Sequence, residues 1–378
     1  MQTLRRWFPF LILVSFSLAL TSALTGCGTS GGAGNSGGSH NNGPEVLYAV
    51  PSTALLNTFM TATINSNTGG FSSTSITTIP LLSSGGVVAT NAEFLYVSGS
   101  GEILGYSLDP TTGIATPLTE SPFTMGIDSA HGMAAAPTGN FFYVADTDRI
   151  DAFTVDNATG VPTPIAQSPF ASGNNQQLVV DPSGKFLYAS DDDPPGGILA
   201  FSIGSDGSLT PLANSPFAIP GQAGANSQPF GIVDNGKFVY TALFGSNQIA
   251  AFSIDSGTGA LTPVPGSPFA SGVNPAVLAL SNNFLYAVNE LDGSISGYSI
   301  NSTTGALTPV PDSPFISDSA TLTADPSEKY LYVSLSAGIL GFDIDPSTGA
   351  LTQQVESISN DGSLWMTIVQ FPSPSSSQ

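Results

Sequence analysis

Seven of the ten tyrosines in this 378-residue chain stand at one position of a recurring word. The word reads VLYA, FLYV, FFYV, FLYA, FVYT, FLYA and YLYV, with its tyrosines at Tyr48, Tyr96, Tyr143, Tyr188, Tyr240, Tyr286 and Tyr332. Their spacings of 48, 47, 45, 52, 46 and 46 residues define seven copies of a period in the forties. A unit of that length cannot bury its apolar face alone and needs like units packed against it, in a propeller or a solenoid. A second word, SPF, recurs at Ser121–Phe123, Ser168–Phe170, Ser215–Phe217, Ser267–Phe269 and Ser313–Phe315. Around it, GALTPVPGSPF at 259–269 returns as GALTPVPDSPF at 305–315.

The local pattern chooses between the two architectures. Residues 276–315 divide into AVLAL, FLYAV, SISGYSI and GALTPV, short runs rich in β-branched and aromatic residues, separated by the turn-rich SNN, NELDG and NSTTG. No stretch sustains a helical period. Each unit therefore reads as a four-stranded sheet. Prolines such as Pro309 and Pro311 gather in the fourth strand; lacking an N–H, they suit an edge, so that strand is the outer one. Phe269 and Phe315 are expected between neighbouring blades. The chain enters its first unit at VLYAV, already a second strand, and residues 364–371, LWMTIVQF, read as a lone first strand. A blade shared by the two ends is of use only in a closed ring, so residues 45–371 are expected to form an all-β, seven-bladed propeller.

Charged residues make up 9% of the chain, against roughly a quarter in an ordinary soluble domain. The 41% apolar content is ordinary, so a core can form and Ser, Thr, Asn, Gly and Pro must dominate the surface. The 27 acids face only Arg5, Arg6, Arg149, Lys185, Lys237 and Lys329, for a net charge of −21. Affinity for phosphate backbones comes largely from Lys and Arg, so nucleic acid is excluded as a partner. Cys27 is the single cysteine, which rules out an internal disulfide and a Cys-rich metal site.

The position of Cys27 gives it another role. Residues 1–26 carry Arg5 and Arg6 ahead of an apolar run from Phe8 to Leu20, a secretory signal too short to span a bilayer comfortably. The ending LTGC resembles a bacterial lipobox, which implies cleavage before Cys27 and acylation of that residue; several acyl chains together anchor firmly. Residues 27–44 then form a Gly/Ser/Asn tether with a span of roughly 20–25 Å. It holds His40 and a GAGNSG that lacks the strand and helix a dinucleotide fingerprint needs. Residues 372–378 read as a disordered tail. The expectation is an exported, monomeric, lipid-anchored envelope protein, with the outer membrane or cell surface preferred because Gly28, not Asp, follows the cysteine.

Units of the form DPSGKFLYAS…GILAFSI…GSLTPL…SPF resemble the seven-bladed propeller lactonase family, which includes 6-phosphogluconolactonase-like proteins and a muconate cycloisomerase. The likeness covers nearly all of residues 45–371. It implies the propeller fold, and lactones as the substrate class.

In such a blade the turns between first and second strands and between third and fourth share one face. The second-to-third loops and the blade connections share the other, around the channel mouth. The first set is uniform here and the second varies, which is where function usually sits. His131 lies in one varied loop, TMGIDSAHG, and Asp146, Asp148 and Arg149 lie in the next, ADTDRID. Asp191, Asp192 and Asp193 occupy the matching loop of the following blade, Asn289 and Glu290 that of a later one, and residues 218–229 form a long connection that could serve as a lid. One reading makes His131 a general base that activates water toward a lactone carbonyl, with Asp146 beside it and Arg149 holding a carboxylate or the oxyanion. The other has Arg149 merely paired with Asp146 or Asp151 and His131 lining the channel. Asp148, Asp191–Asp193, Asn289 and Glu290 would line a binding mouth in either case. The Asp191–Asp193 run offers oxygens to calcium but lacks the spaced ligands of a calcium loop, so no metal or cofactor is expected. Two functions follow. The favoured one is a binding or scaffold module that presents the channel mouth to a protein or neutral glycan. The alternative is a lactone hydrolase using His131 and Arg149 on a sugar lactone, with a phosphorylated substrate disfavoured by the shortage of cations.

Overall fold

A computed structural model describes residues 43–51, 58–78, 86–99, 101–222, 227–316, 319–359 and 364–372. Cys27, the signal, the tether with His40, the tail and residues 223–226 of the long connection lie outside the described residues. All regular elements among those described are strands, arranged in seven antiparallel sheets. Numbered along the chain, blades 1 to 7 have as their inner strands Leu364–Gln370, Gly86–Thr90, Ala130–Ala135, Asn175–Val180, Pro229–Asp234, Pro275–Ser281 and Ser319–Ala324. Each inner strand packs beside the next, and Ser319–Ala324 packs beside Leu364–Gln370, which packs beside Gly86–Thr90. The ring is closed.

The shared blade forms as the sequence suggests. Glu45–Pro51 pairs antiparallel with Leu364–Gln370, and Leu47 stands opposite Ile368. The outer strand departs from the expectation of a single run. In blades 2 to 6 it is broken into two short pieces that both pair with the third strand. In blade 5, Leu261–Pro263 and Phe269–Ala270 both pair with Gln248–Ile254, with Pro263 opposite Phe252 and Phe269 opposite Ile249. Proline donates no hydrogen bond, so the ladder cannot run through the intervening VPGSP. The SPF serine fills the gap: Ser267 Oγ accepts the Ala251 N–H at 2.9 Å, and Ser121, Ser168, Ser215 and Ser313 do the same for the equivalent residues. The phenylalanines pack where expected. Phe269 is half-buried against a cluster drawn from blades 5 and 6, and Phe315 against residues of blades 6 and 7.

The tyrosine word has a structural explanation. Each of its seven tyrosines is fully buried. Each donates its hydroxyl to the carbonyl of a glycine in the outer turn of the next blade, from Tyr48 to Gly113 (2.6 Å) and Tyr96 to Gly160 (2.7 Å) round to Tyr332 and Gly69 (2.7 Å). The remaining four, Tyr143, Tyr188, Tyr240 and Tyr286, reach Gly207, Gly259, Gly305 and Gly349. Many of the acids are turn formers too. Asp109, Asp156, Asp255 and Asp345 each accept backbone N–H groups two and three residues on and a Thr or Ser hydroxyl from the same turn; the hydroxyl is the larger cause at Asp255 and Asp345 and the backbone at Asp109 and Asp156, and together they hold all four carboxyls below their ordinary range. These repeated residues make the blades and the contacts between blades.

The antiparallel order places the first-to-second and third-to-fourth turns on one face of the ring. Lys185, Lys237 and Lys329 all lie in first-to-second turns, on that face. The second-to-third loops and blade connections form the opposite face, called the loop face below.

Candidate functional site

His131 is the second residue of the inner strand of blade 3, at the loop-face end. Gly132 pairs with Ala145 and Ala130 with Asp146, so His131 is the extra residue of a β-bulge. Bulges break the pleat and re-aim a side chain. The His131 ring is half-buried. Its Nδ1 lies 2.8 Å from the Asn175 carbonyl at the start of the blade 4 inner strand, and its Nε2 lies 3.3 Å from Ser129 Oγ. A carbonyl can only accept, so Nδ1 carries the proton and Nε2 presents its lone pair to the Ser129 hydroxyl.

Arg149 opens the third strand of blade 3 directly opposite Asp146. Its Nη1 reaches Asp128 at 2.9 Å, its Nη2 reaches both Asp146 at 2.7 Å and the Gly126 carbonyl at 2.6 Å, and its Nε donates to Asp151 at 3.3 Å. Three carboxylates and a carbonyl occupy all three guanidinium nitrogens. Burial works to lower the Arg149 pKa, but Asp146 and Asp151 raise it further. Arg149 is thereby a brace that ties the 126–128 segment to the blade.

Asp146 completes that brace. Fully buried, it accepts the N–H groups of Asp128 (2.9 Å), Ser129 (2.7 Å) and Thr147 (2.8 Å). Burial alone would lift its carboxyl, yet these N–H groups and Arg149 hold it below the usual range. Asp151 behaves oppositely: burial raises it despite Arg149. Asp146 thus holds the segment that leads through Ser129 to His131. Asp148 is exposed at the tip of the turn, and its carbonyl accepts the Ser172 N–H at 3.2 Å.

Asp146, Asp191 and Asn289 hold one repeat position, the last residue of the second strand in blades 3, 4 and 6. Each steadies a loop at the loop face. Asn289 accepts from Ser271 Oγ and donates to Ser294 and Ser296, while Asp191 accepts the Asp193 N–H and lies against Gly173. Burial raises the Asp191 carboxyl; Asp193 is exposed. The next residue in blades 4, 5 and 6 is Asp192, Phe244 or Glu290, each donating its backbone N–H to the residue just ahead of its own blade's inner strand. Phe244 meets Phe230, on the blade 5 inner strand, with ring centroids 5.9 Å apart. Asp192 Oδ1 and Glu290 Oε1 are buried without hydrogen-bond partners. Burial, then Asp191 and Asp193, raises Asp192 to about 6, and burial raises Glu290 to about 7. Among the described residues no three His, Cys, Asp or Glu side chains gather as metal ligands.

The structure therefore brings His131, Arg149 and Asp146 together in blade 3, but the cation faces acids rather than solvent. Asp191–Asp193 belong to blade 4, and Asn289 and Glu290 to blade 6. Sequence reasoning passed over Ser129, although it stands two residues before His131 in DSAHG. It also passed over Asn175, whose backbone oxygen orients the ring and which no side-chain motif could reveal.

Three solved structures share this architecture. A provisionally assigned 6-phosphogluconolactonase from Bacteroides uniformis ATCC 8492 superposes with a TM-score of 0.74 at 21% identity, covering 87% of this chain and 100% of that one. The periplasmic gluconolactonase PpgL of Pseudomonas aeruginosa gives 0.71 at 16% identity, with coverage of 87% and 100%. A second provisionally assigned 6-phosphogluconolactonase, from Bacteroides fragilis NCTC 9343, gives 0.69 at 18%, with coverage of 88% and 100%. At these identities the likeness is one of fold. No curated protein matches the sequence. The family model described as "Lactonase, 7-bladed beta-propeller" matches residues 148–263, 217–320 and 262–368. Those matches run unbroken over more than half of the sequence, and the chain belongs to the seven-bladed β-propeller lactonase family.

Proposed function

We propose that this protein hydrolyses an uncharged lactone at the loop-face mouth of its channel, with His131 as the general base. The observation that carries the reading is the orientation of one ring: Nδ1 bonded to the Asn175 carbonyl leaves Nε2 as the acceptor. Family membership supports the reaction class. The charge distribution supports a neutral substrate. Arg149 is spent on Asp128, Asp146 and Asp151, and Lys185, Lys237 and Lys329 stand on the opposite face. A phosphorylated lactone would meet acids and, among the described residues, no free cation at this mouth.

Export and acylation at Cys27 belong to the same proposal. They are supported by the charged and apolar pattern of residues 1–27 and by the periplasmic location that the P. aeruginosa protein's name states. The membrane is then a partner through the lipid alone, and the propeller acts as a monomer outside the cytoplasm.

A second reading, a binding module for a neutral glycan or protein, is favoured by the Phe230–Phe244 pair beside blades whose Asp192 and Glu290 keep unpartnered oxygens. Turnover separates the two. The purified protein is assayed against neutral and phosphorylated sugar lactones. Hydrolysis of neutral lactones above the spontaneous rate, with phosphorylated ones slower, supports the hydrolase; no turnover of any lactone leaves the binding module.

A further inference from the structure

The bulge of blade 3 places three groups in series. Ser129 Oγ is 3.3 Å from His131 Nε2, and His131 Nδ1 is 2.8 Å from the Asn175 carbonyl. Ser129 is exposed on the loop face, while its own N–H is held by buried Asp146 at 2.7 Å, which Arg149 and two further backbone N–H groups fix in turn. A hydroxyl within reach of an imidazole that a third group orients is the arrangement of an activated nucleophile, and such contacts are commonly loose before substrate binds. From this geometry we infer that Ser129 is a covalent nucleophile, with His131 as its base and the Asn175 carbonyl as orienter. The inference rests on the hydrolase reading and replaces direct attack by water with two steps.

In the first step His131 Nε2 takes the Ser129 hydroxyl proton as Oγ bonds to the lactone carbonyl carbon. The ring C–O bond breaks, and the departing ring oxygen takes the proton from Nε2. Ser129 is then esterified by the opened hydroxyacyl chain, and nothing has left. In the second step water gives a proton to Nε2 and its oxygen bonds to the ester carbonyl. The bond to Ser129 Oγ breaks and Oγ recovers the proton, releasing a hydroxy acid. Asp146 and Arg149 serve as positioning residues, since neither touches the reacting atoms.

A serine-directed fluorophosphonate tests the pair without needing a lactone. The purified protein is incubated with the probe and its peptides are mapped by mass spectrometry, alongside Ser129→Ala and His131→Ala. The expected result is a single phosphonyl adduct on Ser129, absent from Ser129→Ala and slowed on the order of 100-fold in His131→Ala. No adduct on Ser129, or labelling that ignores His131, overturns the inference. Lactone turnover separates its failure from that of the hydrolase reading. Ser129→Ala hydrolysing within about threefold of the parent, while His131→Ala is inactive, overturns the nucleophile and keeps the base. A parent protein that labels on Ser129 but turns over no lactone keeps the pair and removes the lactone.

Discussion

Tyr332 of the last blade donates its hydroxyl to the carbonyl of Gly69 in the first at 2.7 Å, across 263 residues of sequence. It is the last of seven such bonds and, with the strand pairing of Glu45–Pro51 on Leu364–Gln370, joins the two ends of the ring.

Tyr332→Phe keeps the packing and leaves a buried carbonyl without its donor. The expected loss is about 1–3 kcal/mol, read as a lower denaturant midpoint with an unchanged slope.

Gly259 stands at φ +73°, and a Cβ there would fall well inside contact distance of the Phe186 ring. Gly259→Ala should cost about 1–3 kcal/mol, since both backbone and neighbour resist it. Phe186→Leu relieves only part of the second cause, since Leu212 Cδ1 would also lie 2.8 Å from that Cβ. In a double-mutant cycle the pair should therefore lose less than the sum of the single variants.

Arg149→Met leaves Asp146 and Asp151 buried beside no counter-charge. The expected loss is about 2–3 kcal/mol, less than for a fully buried pair because the side chain stays 23% exposed. Arg149→Lys should recover little, because one ammonium cannot reproduce a fork spread over three carboxylates and a carbonyl. Urea titration of the three proteins checks both statements.

Burial raises Glu290 to about 7 in the folded chain, against an unfolded carboxyl near 4.5. Between those values the folded state binds more protons than the unfolded one. The contribution of Glu290 to stability is then fully present below about pH 4.5 and is lost as pH rises through about 7. Glu290→Gln should be more stable than the parent at pH 8, by on the order of 1 kcal/mol, and the difference should shrink at pH 5. Melting curves at the two pH values measure it.

Much of this was legible in the sequence because the repeated residues are the ones that build blades. The tyrosine spacing counted the blades, and LWMTIVQF announced the closing strand. The break in the outer strand was less legible: the prolines marked an edge, but the serine that takes over the missing ladder bond acts through its side chain. Asp146, Asp191 and Asn289 could have been aligned from FFYVAD, FLYASD and FLYAVN as one repeat position, which marks them as loop anchors before ligands. Arg149 was visible beside acids, yet only the packing shows three of them around its guanidinium. Asn175 contributes a backbone oxygen from the neighbouring blade, and no residue type signals that.

The proposed hydrolysis depends on His131. Its most direct test is kcat/KM for a neutral lactone in the parent protein and in His131→Ala, with circular dichroism showing the same strand content in both. The expected result is a loss on the order of 100-fold or more, the usual contribution of a positioned base. A variant that hydrolyses the lactone as fast as the parent would show that His131 is not the base.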